Sequence, residues 1–232
     1  MVHCFDDFVQ ALLDAGFSMG SGNNDGIYSI VNWNWNEEPP YPTPVSWHTG
    51  NMETDPWEWR IRVLEERDDI AYAKVFFKKS GFITKPWYPY FLAARRGEQS
   101  FDDAYQDGNI SHFGKRIYDV LTTHDRLPLQ DIKLHGKFTR EDKAGFDRAL
   151  TELQMKMFTT ICSSQPRMSQ KGPINGVMPS TVLCTTERFF GMDMFKEAAN
   201  ISIEEAKAKI TQQILKLNPQ AEEKKINKFI FG

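Results

Sequence analysis

Cysteine is scarce in this chain. Cys4, Cys162 and Cys184 are far apart and match no metal or redox spacing, which excludes a disulfide scaffold and a thiolate metal site. So sparse and odd a set suits a reducing cytosol, with the thiols serving as small apolar residues. The five histidines, His3, His48, His112, His124 and His135, are equally scattered, so no metal and no cofactor is expected. The glycine-rich run "GSGNNDG" (20–26) lacks the lysine and the strand-to-helix setting of a phosphate loop, and no G-x-S-x-G elbow is present. No stretch is apolar for long enough to cross a bilayer, and "MVHCFDDFVQALLDAGF" has no basic leader followed by an apolar run. A soluble, cytoplasmic chain with no membrane partner is expected.

What the chain does have is aromatic bulk and a divided charge. Its 17 Phe and 6 Trp in 232 residues point to an interior built on rings. The net charge of −3 argues against a general nucleic-acid binder. Through Ile110, however, 17 acidic side chains face 9 basic ones, whereas from Ser111 onward 14 face 19, so the halves carry −8 and +5. Such asymmetry means either that the second half faces an anion or that the two halves attract each other.

In the first half, Phe5, Phe8, Leu12 and Ala15 share one side of a helix that stops at Gly16. "IYSIVNWNW" (27–35) alternates as a short strand, and "NEEPPYPTP" is a stiff loop. Asp55-Pro56-Trp57-Glu58 has the layout of a helix start, with Asp55 as cap, Pro56 first and Glu58 reaching back. Trp57, Ile61 and Leu64 then face a core. "IAYAKVFFKKSGFIT" reads as a hairpin turning at Lys79-Ser80-Gly81, and "KPWYPYFLAARRG" as a proline-broken aromatic segment lying over it. Arg95 and Arg96 close that segment, either to clamp a phosphate or to pair with acids of their own half.

In the second half, Ser111 caps a helix carrying Phe113, Ile117, Val120 and Leu121, and Pro128 begins a short one. A third, capped by Thr139 with Asp142 as partner, aligns Phe146, Ala149, Leu150, Leu153 and Met157. "FTTICSS" and "STVLCTT" then flank a polar, basic loop. Three helices followed by a two-stranded hairpin is the winged-helix arrangement. Ser202 caps a further helix with Ile203, Ala206, Ile210 and Ile214 in its stripe, and a last one is tipped by Ile226, Phe229 and Ile230. The expected class is α+β: an aromatic-rich N-terminal helix and hairpin region over 1–110, a winged helix over 111–190, and C-terminal helices over 191–232 that pack back or onto a partner.

With these residues in place, the chain resembles small proteins related to the AlkZ-type DNA glycosylases. "WHTG" (47–50), "DPWEWR" (55–60), "KSGFIT" (79–84), "YPYFLAARR" (88–96) and "FDRALTELQ" (146–154) carry the resemblance. It implies winged-helix modules and a relation to enzymes that excise alkylated purines from DNA. In that larger family a glutamine, a hydrophobic residue and then glutamine or aspartate position the attacking water. Gln10, Gln130, Gln154 and Gln213 are not followed in that way, so no catalytic residue is carried over.

The leading expectation is a protein that contacts double-stranded DNA without that triplet, through Lys137, Arg140, Lys143, Arg148, Arg167 and Lys171, with Arg95 and Arg96 as further candidates. The acids Glu141, Asp147 and Glu152 on the third helix point to modest affinity. One alternative is a scaffold binding a small ligand or a protein in a cleft lined by Trp47, His48, Trp57, Trp87 and Tyr88. Another is a DNA glycosylase using Glu53 or Asp55 as its acid.

Overall fold

The computed structural model describes residues 1–169, 172–173 and 178–232. Among them are eleven helices, a six-stranded antiparallel sheet and a separate two-stranded ribbon, a mixed α+β fold. Helix α1 (Phe5–Ala15) buries the expected stripe with Val9 added. Gly16 ends it at φ 87°, and a β-carbon there would meet Trp87 Nε1 at 2.2 Å. Strand β1 (Phe17–Met19) follows directly; all three residues are buried, so no alternation marks it.

The strand expected over 27–35 does not form. Ile27, Ser29, Val31 and Trp33 are buried in alternation, but serine hydroxyls stand in for the backbone ladder. Ile30 N donates to Ser18 Oγ at 3.0 Å, and Ser29 Oγ donates to the Val31 carbonyl at 2.7 Å. Helix α2 (Pro56–Glu66) starts where expected, with Asp55 as N-cap. Its buried side is Trp59, Val63 and Leu64, so Trp57 and Ile61 are left only partly covered. Glu58 does not close a capping box, because Asp55 N donates to the Asn51 carbonyl instead.

Strands β2 (Ile70–Phe76) and β3 (Lys79–Thr84) form the hairpin, with the turn earlier than expected. It falls at Phe77 and Lys78, both at positive φ (50° and 62°), as a two-residue hairpin turn of the primed type requires. Gly81 lies inside β3, where a β-carbon would sit 2.3 Å from the Phe76 ring. The glycine makes room for a core phenylalanine rather than for a bend. The proline-broken segment proves to be a helix, α3 (Tyr88–Arg95), with a proline in its first turn. A short α4 (Phe101–Gln106) follows, closed by a Ser100–Asp103 capping box.

The next elements run in the order α5 (His112–Thr123), β4 (Leu127–Pro128), α6 (Leu129–His135), α7 (Lys143–Met155) and β5 (Thr159–Gln165). After a ribbon of β6 (Met168–Ser169) and β7 (Gly172–Pro173) comes β8 (Ser180–Thr185). Ser111 caps α5 by accepting from Gly114 N. At α7 the expected roles are exchanged: Asp142 is the N-cap, and its carboxylate accepts from Thr139 N at 2.8 Å. That bond holds the Asp142 carboxyl below its ordinary pKa. Ile117, Leu121, Phe146, Ala149 and Leu153 join Phe101, Phe158 and Leu183 in one core. Met157 is buried but lies past the end of α7, at φ 60°.

The two β-branched runs pair, from Thr159 opposite Thr185 to Gln165 opposite Ser180, and β4 pairs with the far side of β8. The sheet order is β1–β3–β2–β5–β8–β4, and its middle join is the single pair Tyr72–Ile161. Beyond that pair the buried Gln154 of α7 takes over, accepting from Lys74 N at 2.9 Å and donating to the Leu150 carbonyl. Helices α8 (Thr186–Phe190), α9 (Asp193–Ala199), α10 (Ile203–Leu217) and α11 (Glu223–Phe231) complete the chain. Ala206, Ile210, Ile214, Ile226, Phe229 and Ile230 pack back against Phe17, Phe76 and Phe91, with the Phe229 ring stacked 3.8 Å from Phe76. Ile203, in the first turn of α10, is 51% exposed and outside that stripe.

Candidate functional site

A trench of about 550 Å³ runs along one side of α7. Arg148, Thr151, Glu152 and Lys156 form one wall; Lys74 of β2, Lys78 of the hairpin turn and Phe231 are on the others. Arg148 and Glu152 also line a neighbouring hollow of about 400 Å³ at the start of α5. Among the described residues, Lys74, Lys78, Arg148 and Lys156 enter no ion pair. The acids beside them are engaged elsewhere. Asp147 pairs with Lys143 at 2.9 Å, and Glu152 accepts from both the amide and the hydroxyl of Ser111, at 3.1 and 2.7 Å. Four free cations thus share a concave surface, an arrangement suited to holding anions.

Of the cations singled out from the sequence, only Arg148 lines the trench. Lys137, Arg140 and Arg167 are exposed elsewhere, Lys143 is bound to Asp147, and Lys171 lies outside the described residues. Arg95 and Arg96 are corrected. The Arg95 guanidinium points inward, donating to the carbonyls of Ile230 (2.7 Å), Val75 (2.6 Å), Met155 (3.0 Å) and Phe229 (2.6 Å). Burial draws its pKa down to about 9, which leaves it charged at neutral pH. Arg96 pairs with Glu187 at 2.7 Å and lies over the Phe158 ring, its side chain only 9% exposed. Neither is free to meet a phosphate.

A second concavity, of about 270 Å³, lies between the loop before α2 and the hairpin, lined by Trp35, Trp47, His48, Trp57, Tyr72 and Ser80 among others. Its walls are fixed by the stretch that the sequence marks as a helix start. The Asp55 carboxylate is fully buried and accepts from four backbone amides: His48 and Trp57 on Oδ1, Thr49 and Gly50 on Oδ2. These bonds hold His48 at φ 61°, a conformation that a β-carbon disfavours. With both oxygens engaged, Asp55 is not placed to act as an acid or base. Glu53 is exposed and paired with Arg62 at 2.8 Å.

Trp47, His48 and Trp57 therefore come together, whereas Trp87 and Tyr88 do not join them. Both belong to α3 and its approach, on a different core cluster. Trp87 packs on Phe17 beside α10, and Tyr88 is buried against Phe190.

A family model described as AlkZ related matches residues 2–231. The chain belongs to the AlkZ-related family. No curated protein and no solved structure matches it. In this AlkZ-related protein three glutamines are occupied structurally. Gln154 bridges α7 to β2, Gln213 donates to the Ala15 carbonyl, and Gln10 donates to Asp14. Among the described residues no helix is long and apolar enough to cross a membrane. Sequence reasoning missed Lys74, Lys78 and Lys156 as members of the trench. The signal for Lys74 is its place as the one exposed residue of an otherwise buried strand.

Proposed function

We propose that residues 111–190 of this AlkZ-related protein form a winged helix and that the protein contacts double-stranded DNA beside its third helix, α7. The order α5, β4, α6, α7, β5, β8, with β8 between β4 and β5, supports the first part. The second part rests on one observation: Arg148, Lys156, Lys74 and Lys78 line a single trench along α7 without partners among the described residues. Lys137 and Arg140, both exposed, precede the same helix in the chain. The reading is of contact rather than base excision, since Asp55 is saturated by amides and the glutamine triplet is not present.

A salt titration of duplex binding tests it. Phosphate contacts release counterions, so each lost contact lowers the slope of log K against log salt by about 1. Arg148→Ala with Lys156→Ala is expected to lower it by about 2, while Lys207→Ala, an exposed side chain of α10, leaves it unchanged. No binding at low salt, binding indifferent to salt, or an unaltered slope in the double variant would remove the proposal.

A further inference from the structure

The aromatic pocket is built to hold something other than a phosphate. Its walls are pre-organised: Trp47 Nε1 donates to the Trp33 carbonyl at 2.8 Å, and the Asp55 amide bonds fix the His48 turn. The Arg60 guanidinium, itself outside the pocket, lies 3.4 Å from the Trp57 ring and steadies it. The imidazole of His48 lies 5.8, 6.2 and 5.0 Å from the rings of Trp35, Trp47 and Trp57. Trp35 stands at the entrance, 59% exposed, a large ring left in water without a structural task.

The polar groups are the second observation. Tyr72 is only 5% exposed, lines this pocket, and its hydroxyl has no hydrogen-bond partner among the described residues. The hydroxyl oxygen opens onto the pocket rather than being sealed in the core, so its hydrogen-bonding capacity is free for a group that enters. Ser21, Ser80 and Asn34 add further neutral hydrogen-bonding groups, and among the described residues no Asp, Glu, Lys or Arg lines the space. Flat apolar walls with a neutral polar edge match a ring that has apolar faces and hydrogen-bonding atoms on its rim. The volume of about 270 Å³ admits one or two fused rings.

We infer that this pocket binds an uncharged nitrogen heterocycle of one or two rings, free in solution, stacked among Trp35, Trp47, His48 and Trp57 and hydrogen-bonded to Tyr72. A quaternary ammonium is the competing occupant of an aromatic box. It is disfavoured because it would make no use of the neutral polar groups and because a guanidinium already lies on Trp57. The inference is independent of DNA contact in the trench.

Tryptophan fluorescence of the full chain is titrated with adenosine and caffeine, both uncharged at neutral pH, with choline, and with a single-stranded oligonucleotide. Saturable quenching by adenosine or caffeine is expected. Tyr72→Phe should weaken it about 3–10-fold, the worth of one hydrogen bond. Trp35→Ala, which removes an exposed wall and no core contact, should abolish saturation. Saturation by choline alone, saturation by the oligonucleotide alone, or heterocycle quenching that survives both substitutions overturns the assignment.

Discussion

Arg95 is where the three parts of the chain are fastened together, and replacing it with methionine tests that directly. The guanidinium bonds to the last turn of α11 through Phe229 and Ile230, to the end of α7 through Met155, and to β2 through Val75. Two of these three anchors are helix C-termini, where carbonyls lack amide partners and the dipole is negative, so a cation is favoured there without a carboxylate. Methionine keeps the stem and removes the donors. Each carbonyl left buried and unpaired costs roughly 1–3 kcal/mol, but these four bonds are only part-buried and the carbonyls can recover some water, so a loss of about 3–5 kcal/mol is expected. Against a typical total of about 5–15 kcal/mol this is a large fraction. With a urea m-value near 3 kcal/mol/M, the unfolding midpoint should fall by at least about 1 M. Arg95→Lys should recover only part of this, because one ammonium cannot span three segments. Hydrogen exchange should show α11 and the end of α7 losing protection first. A midpoint for Arg95→Met within about 0.3 M of the parent would refute the reasoning.

Gly16→Ala puts a methyl 2.2 Å from Trp87 Nε1 at φ 87°, so it should cost at least about 2 kcal/mol and redden or broaden tryptophan emission; an unchanged thermal midpoint would contradict the packing. Arg67 donates to Asp69 and holds its carboxyl below the ordinary value of 3.8. That contribution is fully present above 3.8 and is lost as pH falls through the lower native pKa, so Asp69→Asn should be less stable than the parent at neutral pH and converge with it in acid. With both partners about one-third exposed the gap should be no more than about 1 kcal/mol, measured by urea midpoints from pH 7 down to pH 2. Asp147→Asn removes an acid from the trench and frees Lys143, so duplex affinity at low salt should rise; a fall would argue that Asp147 positions Lys143 usefully.

Much of the fold was legible because its elements obey local rules. The helix stripes of α1, α5, α10 and α11, the caps at Asp55, Ser111 and Ser202, and the pairing of two β-branched runs follow from periodicity and capping chemistry. What was not legible depended on partners remote in sequence. The 27–35 run alternates like a strand, yet Ser18 and Ser29 satisfy its backbone with hydroxyls and no ladder forms. The hairpin turn moved from Lys79–Gly81 to Phe77–Lys78 because Gly81 is needed under the Phe76 ring, a packing demand that turn propensities do not carry. Arg95 and Arg96 read as surface cations because a run of residues does not reveal that the ends of α7 and α11 close over Arg95, or that Glu187 and Phe158 take up Arg96.

The position of that turn also decides where the candidate sites lie. Tyr72 and Lys74 are two residues apart on β2, so they leave the same face of the sheet roughly 7 Å from one another. Tyr72 serves the aromatic pocket and Lys74 the trench, while across the hairpin Ser80 and Lys78 divide in the same way. Strand β5 pairs with β2 only at Tyr72, and α7 lies against Lys74 because Gln154 takes the amide that a continuing ladder would have used. Had the β2–β5 ladder run on past Tyr72, Lys74 N would be bonded to a strand and Gln154 would have no amide to hold. The short ladder is therefore the structural cause of the trench, and the buried glutamine is what makes so short a ladder tolerable.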